Sequence, residues 1–395
     1  MTALSAFIAF NSTNGFAAAT DIQPATLADY ARAGSIEEIV VTGTSRSDVT
    51  PLTSSAPVDV VQSDLIEKGG VTRLNEALQK LAPSFNSPTG GFVNNGVKAA
   101  TLRGLSADQV LVLVNGKRRH TIAGLSANNA QPVDLNTIPL SAIDHIEVLR
   151  DGASAQYGSD AVAGVINVVL KGEAEGGNLS AQYGQFKADS DKFGASISGW
   201  KGFELPGDGF LTLAFDRYSE RPPLSGPADP RQWYFDGDPR EATARKDRVQ
   251  WAQPPNRDTY NLLANAEVGI NDAVTTYGSL SYTDSENESH QNFIPPNDKG
   301  NVRELFPDGY QPVATYKNRD FSALGGVRFI DDEFGKLDFS LSYGWNKLGQ
   351  GVGPSVNPTF GADSPTSFDR LFSRKNSSVG ANLDYVTEIE LPALD

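Results

Sequence analysis

Most of the second half of this chain consists of segments in which apolar and polar side chains alternate. In one segment Leu211, Leu213 and Phe215 occupy every second position, and in another Leu337 and Phe339 do so. Alternation with a period of two predicts β-strands that have one apolar face, and each segment is about long enough to cross a bilayer as a tilted strand. Eight such segments lie near residues 176–186, 193–203, 210–220, 258–269, 273–284, 320–330, 335–346 and 375–388.

The connections between these segments alternate between short and long. Asn271-Asp272 and Asp331–Phe334 are short, whereas residues 221–257, 285–319 and 347–374 are long. This arrangement is typical of a transmembrane β-barrel, which has tight periplasmic turns at one rim and long external loops at the other. A soluble β-sandwich or solenoid also has alternating strands, but it has no reason to place every long loop at one end. We therefore expect antiparallel barrel strands over residues 176–395.

Composition argues against several other classes of protein. The net charge is −15 and there is no basic stripe, so a nucleic-acid partner is not expected. The chain has no cysteine, which excludes disulfides, zinc–thiolate sites and a cysteine nucleophile. Its three histidines, His120, His145 and His290, do not have metal-ligand spacing. No nucleophile elbow, Walker loop or dinucleotide fingerprint occurs, so we expect neither an enzyme nor a cofactor.

Three further zones precede the strands. Residues 1–19 resemble an incomplete secretory signal peptide, because an apolar run is present without the usual basic start. Residues 20–55 are polar and predict a flexible arm. Residues 56–172 predict a compact α/β domain. Within that domain Leu74, Leu78 and Leu81 fall on one helical face, and Asn115-Gly116 after an apolar run predicts a hairpin turn.

Two motifs give the chain a family resemblance. The arm contains one β-prone island, Glu38-Ile39-Val40-Val41-Thr42. The α/β domain contains an ordered series of short patterns, ending with the run from Ile146 to Val168. In this order the motifs resemble the TonB box and the plug domain of TonB-dependent outer-membrane receptors. The plug-motif residues are Arg103, Gly104, Asn115, Gly116, Glu147, Arg150, Asp151, Gly152, Tyr157, Gly158, Ser159, Gly164 and Asn167.

The resemblance implies roles for some of these residues. Arg103, Glu147 and Arg150 are candidates for ion pairs between the plug and the barrel wall, because arginine forms planar, bidentate pairs. A role in holding the plug together is favoured for Arg150, Asp151 and residues 157–159. Contacts with an external ligand are expected from two apical segments of the plug, residues 90–96 and 120–129, and from the external loops. The candidate ligand-binding residues are Asn94, Asn95, His120, Trp233, Tyr234 and Trp251.

The function that the resemblance implies is active import. A plug closes the barrel, an external ligand binds above it, and the TonB protein of the inner membrane pulls on the box. The ligand class stays open among siderophore, haem, cobalamin, glycan and peptide. The alternatives are a truncated, non-functional receptor, a plug-bearing binding module or a passive porin. Because the family closes a barrel of about 22 strands, eight strands predict an incomplete barrel and therefore a fragment.

The predicted box supplies the first test. An unpaired strand binds a sheet edge through main-chain hydrogen bonds, which proline cannot donate. Val40→Pro should therefore weaken binding to the periplasmic domain of TonB far more than Val40→Ile does. Titration of that TonB domain with each variant measures the difference, and equal losses would show that the box does not bind as a strand.

Overall fold

The computed structural model describes residues 2–8, 58–68, 70–87, 97–125, 130–150, 157–186, 189–223, 228–246, 255–331 and 333–387. The predicted TonB box, Glu38–Thr42, lies outside these residues. Within the described ranges, no helix is both long and apolar enough to cross a membrane.

The first part of the chain forms a mixed α/β domain, which we call the plug domain. Counting an N-terminal strand first, the elements are β1 (Thr2–Ile8), β2 (Val58–Gln62), α1 (Ser63–Lys68), α2 (Leu74–Leu81), β3 (Phe85–Asn86), β4 (Thr101–Leu102), β5 (Val110–Val114), β6 (Lys117–Arg118), β7 (Ile143–Leu149) and β8 (Gly164–Leu170). The five-stranded sheet of the plug domain has the order β2-β7-β8-β5-β6, in which only β5 and β8 are parallel neighbours. Strand β5 is apolar and buried throughout, as expected for an inner strand.

Local sequence explains the main features of the plug domain. Leu74 and Leu78 of α2 are 1% and 0% exposed and pack into the core, so the helical face predicted from their spacing is confirmed. Asn115 and Gly116 have φ angles of 49° and 75°, and they join β5 to β6 as the predicted hairpin turn. Gly164 has a φ of 140°, and a Cβ there would lie 2.4 Å from the carbonyl oxygen of Leu149. Only glycine permits β7 and β8 to approach in this way.

The second part of the chain forms one large antiparallel sheet. Besides β1, its strands are β9 (Gly177–Phe186), β10 (Asp189–Leu205), β11 (Gly209–Arg221), β12 (Asn256–Asn271), β13 (Val274–His290), β14 (Val313–Asp331), β15 (Gly335–Gly353) and β16 (Phe368–Val386). They follow chain order, and the sheet is open, with β1 and β16 as its edges. Strand β1, within the predicted signal peptide, pairs with the edge of β9.

Eight predicted strands correspond to β9–β16, although several are longer than expected. The β14–β15 ladder continues to the pair Val313–Gly353, about seven residues beyond the alternating pattern. The extra length lies at the end that carries the long loops. There the backbone hydrogen bonds of the ladder continue, but apolar and polar side chains no longer alternate. The alternating pattern in the sequence therefore ends before the strand does.

The two faces of the large sheet differ in polarity. Its convex face exposes large apolar side chains, including Leu262 (57%), Leu280 (53%) and Leu341 (51%). Its concave face carries polar side chains that the plug domain buries, such as Asp320 and Asn346. Because side chains in a strand alternate between faces, one sequence pattern produces both surfaces.

Candidate functional site: the interface between plug and strands

The plug domain contacts the concave face of the sheet mainly through hydrogen bonds and ion pairs. We call this set of contacts the polar seam. It runs along the sheet from the end with short turns. On the sheet side its residues are Asp216, Glu220, Asn261, Asn265, Ser281, Thr283, Asn318, Asp320, Asp338, Asn346, Asn376 and Asp384.

The strongest part of the seam surrounds Asp320 on β14. Its Oδ1 lies 2.8 Å from Nη2 of Arg119, and its Oδ2 lies 2.9 Å from Nε2 of His120. The side chains of Arg119, His120 and Asp320 are 6%, 5% and 3% exposed. Arg119 also donates to Ser281 Oγ at 2.9 Å, so it binds two strands of the sheet. A buried charge is tolerated only when it is paired and hydrogen-bonded, and here each domain satisfies the charge of the other.

A second centre lies at Asp134 of the plug domain. Its carboxylate accepts hydrogen bonds from the backbone N–H groups of Lys98 and Asn136 and from Nδ2 of Asn318. Burial raises the pKa of Asp134 to about 6, although these N–H groups oppose the rise. Asn346 connects the two centres, because its Nδ2 donates to Asn318 Oδ1 and to Asp320 Oδ2.

At the end of the sheet with the short turns, the seam contains a more exposed ion pair. Lys117 Nζ lies 3.0 Å from Asp338 Oδ1 and 2.7 Å from Asp384 Oδ2. Tyr277 donates its hydroxyl to Asp338 as well. Burial lowers the pKa of Lys117, but the hydrogen bonds to Asp384 and Asp338 outweigh it and raise the value overall.

Hydrogen bonds that involve no cation complete the seam. Asp216 accepts from the backbone N–H and the hydroxyl of Ser141, at the start of a short 3-10 turn. Asn115 donates to Asn265 at 3.2 Å. Close packing adds to these bonds, because a Cβ on Gly344 would lie 2.2 Å from Nδ1 of His120. At Gly344, therefore, the ring of His120 fills the space that a side chain would need.

The predicted plug-motif residues occupy mainly internal positions in the plug domain. Arg150 pairs with Asp59 at 2.9 Å, and Asn167 donates to buried Glu147 at 2.9 Å. Arg103 and Gly104 form a turn with φ angles of 56° and 74°. Among the plug-motif residues, Asn115 contacts the sheet through its hydrogen bond to Asn265.

The end of the motif region is described only in part. Arg118 donates to the carbonyl of Tyr157 and pairs with Asp160. Gly158 has a φ of 96° and precedes the short turn that begins at Ser159. Asp151 and Gly152 lie outside the described residues.

The predicted ligand-binding residues are spread over three environments. His120 lies in the seam, and Asn94, Asn95 and Trp251 lie outside the described residues. Trp233 and Tyr234, in the loop between β11 and β12, are 6% and 7% exposed and pack with Phe293 of the loop between β13 and β14. The Trp233 and Phe293 rings are 4.3 Å apart, and the tyrosine hydroxyl donates to Asp308 of the second loop. Both aromatic side chains thus hold the two loops together, and their contact with a ligand stays a prediction.

The sequence reading did not identify the residues that carry the seam. Arg119, Asp134, Asp216, Asp320 and Asn346 belong to no motif. Position in the strands was the one signal that could have identified them. Asp216, Asp320 and Asn346 each place a buried acid or amide on the inward face of a strand. In the described ranges, no cluster of three or more acidic or histidine side chains could hold a metal ion.

The Asp320 centre yields a stability test. Asp320→Asn removes the carboxylate that both Arg119 and His120 contact, and removing one partner of a buried ion pair costs about 3–5 kcal/mol. Protease cleavage of the plug domain should therefore begin at a clearly lower urea concentration. Asp384→Asn is the matched control, since Asp384 is 63% exposed and should change little. Equal shifts for the two variants would contradict the central role of Asp320.

Comparison with known proteins agrees with this architecture. Residues 50–165 match the family model of the TonB-dependent Receptor Plug Domain. A ferric enterobactin receptor from Pseudomonas aeruginosa superposes with a TM-score of 0.56 at 17% identity, over 84% of this chain and 46% of that chain. The siderophore receptor PirA from Acinetobacter baumannii superposes with a TM-score of 0.52 at 18% identity, over 82% of this chain and 44% of that chain.

At these identities the likeness shows the fold, and it confirms the predicted α/β plug followed by antiparallel barrel strands. The chain spans less than half the length of the solved receptors that it matches. The eight strands do not close into a barrel. Residues 50–165 of this chain therefore form a plug domain of the TonB-dependent receptor type, and the sheet after them has the fold of an open part of the barrel in the similar receptors.

Proposed function

We propose that this chain is part of an outer-membrane transporter that imports a scarce external ligand by an energy-coupled rearrangement of its plug. The partner is the TonB protein of the inner membrane with its energising complex, and it binds Glu38–Thr42. The plug domain and the N-terminus face the periplasm. Outer-membrane lipid surrounds the strands.

The observation that carries this proposal is the chemistry of the polar seam. When a hydrogen bond between the two parts is replaced by hydrogen bonds to water, the free energy of the interface changes by only about 1 kcal/mol, because each polar group keeps a partner. Water can also bridge separated polar groups at small cost. A seam made of such contacts holds the plug in place at rest and can open under a pulling force.

Apolar contact between the two parts is limited by comparison. Among the described residues, the sheet side chains that pack with the main buried core of the plug domain are Ala214, Leu263 and the partly buried Trp200. Permanent interfaces are usually larger and more hydrophobic than this, resembling a divided core. A passive porin would have no need for a domain that neutralises the charges of its inner wall.

The ligand class is the open part of the proposal. The similar structures are a ferric enterobactin receptor and a siderophore receptor, which makes a ferric siderophore one candidate for this chain. Haem, cobalamin, glycans and peptides are the others. His120 and the external loops are the described regions from which ligand contacts are proposed.

A reporter cysteine tests the rearrangement without knowledge of the ligand. The chain has no cysteine, so Thr137→Cys introduces a unique thiol. Thr137 is 2% exposed, and its carbonyl oxygen accepts from Thr283 across the seam. In host cells grown in their usual medium, a maleimide should label Cys at this position faster when TonB is present than when it is deleted.

Lys299→Cys is the control, because this loop residue is exposed and should react equally in both strains. If the Thr137→Cys variant is labelled at the same rate with and without TonB, the energy-coupled opening of the seam is refuted.

A further inference from the structure

Two of the long loops are joined to each other above the sheet. The first loop, residues 222–255, connects β11 to β12, and the second, residues 291–312, connects β13 to β14. The described parts of these loops, residues 228–246 and 291–312, are called the loop unit. The loop unit stands above four neighbouring strands, at the end of the sheet opposite the short turns. It thus belongs to the external loops from which ligand contacts are proposed.

Two carboxylates order the first loop. The side chain of Asp229 is 0% exposed, and it accepts hydrogen bonds from the backbone N–H and the guanidinium of Arg231 and from Nε1 of Trp233. Glu241 accepts hydrogen bonds from the backbone N–H groups of Trp233 and Tyr234, each at 3.0 Å. A buried carboxylate is stable only when hydrogen bonds satisfy it, so the contacts of Asp229 form together. They fix both the backbone of the loop and the orientation of the Trp233 ring.

Hydrogen bonds connect the first loop to the second. Nη2 of Arg231 donates to the carbonyl oxygen of Phe293 at 2.9 Å. In the opposite direction, the backbone N–H of Asn297 donates to the carbonyl oxygen of Trp233, and Nδ2 of Asn297 donates to that of Gln232, each at 3.0 Å. All three bonds end on main-chain carbonyl groups, which need a partner when water is excluded. They therefore hold the path of one loop against the other.

Aromatic side chains give the two loops a common core. Trp233 and Phe293 are 6% and 8% exposed, and their tilted rings lie 4.3 Å apart. Beside them, Tyr234 donates its hydroxyl to Asp308 at 2.9 Å, and Arg240 contacts the same carboxylate at 3.0 Å. The guanidinium of Arg240 also lies 4.4 Å from the centre of the Tyr234 ring. Buried aromatic pairs stabilise a structure by more than their buried area alone, so the core adds to the hydrogen bonds.

These contacts determine how readily the loops can move. The free energy of a local opening increases with the number of buried contacts and hydrogen bonds that open together. Segments that act as lids come from the weakly held end of this range. Separation of the two loops would expose the rings of Trp233 and Phe293 and break all three hydrogen bonds to main-chain carbonyl groups. The loop unit is therefore built as a small rigid body and not as a lid.

We infer that the loop unit is a preformed wall of the external ligand site, whose two loops stay joined while the ligand binds and while TonB acts. A preformed site lowers the entropic cost of binding, because its side chains are ordered before the ligand arrives. The conformational change of import then takes place below the unit, in the polar seam. The inference rests on the proposed function for its ligand, while the rigidity depends on contacts within the two loops.

Protease cleavage on intact cells tests the common core. Trypsin cleaves after exposed basic residues, such as Arg240 of the first loop. Trp233→Ala should be cleaved there about 100-fold faster, because truncation of a buried tryptophan raises the population of the open state by at least this factor. Phe235→Ala is the matched control, since Phe235 lies in the same loop but is 51% exposed. It should be cleaved at the rate of the unaltered protein.

A disulfide between the loops tests whether they stay joined during import. Asn297 contacts the main chain of Gln232, so cysteines at these two positions are close enough to bond. When the protein also carries Thr137→Cys, oxidation leaves one free thiol, because the chain has no cysteine of its own. The ratio of maleimide labelling rates with and without TonB should equal the ratio for Thr137→Cys alone. The matched control replaces Gln232 and Asn297 with serine, which alters the same side chains without joining the loops.

Three results would overturn the inference: no crosslink between the loops in resting cells, loss of the TonB effect in the crosslinked protein but not in the serine control, or unchanged cleavage of Trp233→Ala. The proposed function fails separately, when Thr137→Cys alone is labelled at the same rate with and without TonB. The crosslink and the protease comparison then still decide whether the two loops form one body.

Discussion

Buried charge on the concave face of the strands is the constraint on which the rest of the structure depends. Asp320 is almost completely shielded from water, on a strand whose opposite face is apolar. Its charge requires partners, and the plug domain provides them as Arg119 and His120. The plug domain thus neutralises buried charge on the strands in addition to packing against their inward face. This explains how a domain can be held in a fixed register by polar contacts that water can replace once the seam opens.

The same strands face a second environment on their convex side. There, alternate positions of β14 are apolar from Phe329 to Phe321, and the next outward positions beyond the two ends are the charged Asp331 and Arg319. A period of two therefore separates two surfaces within one segment: inward residues contact the plug, and outward residues form an exposed apolar face.

The sequence predicted the local parts of this account and missed the long-range ones. The eight strands, the leucine face of α2 and the Asn115-Gly116 turn could be predicted because each depends on residues that are close in the chain. The pair Arg119–Asp320 joins residues 201 positions apart, and only the strand register brings them together. Trp233 and Tyr234 were interpreted as ligand contacts because they are aromatic loop residues. The structure packs both with Phe293, about 60 residues away, a contact that no local pattern reveals.

The measurement that tests the central claim most directly is disulfide trapping across the seam. A Cβ on Gly344 would lie 2.9 Å from that of His120, so a small shift permits a disulfide between His120→Cys and Gly344→Cys. A short oxidation pulse should crosslink this pair in resting cells, and the yield should fall when TonB is energised. His120→Cys with Val379→Cys, whose position on β16 is 79% exposed, should not crosslink. Failure of the first pair to crosslink in folded protein would contradict the seated plug, and a yield that is independent of TonB would contradict its release.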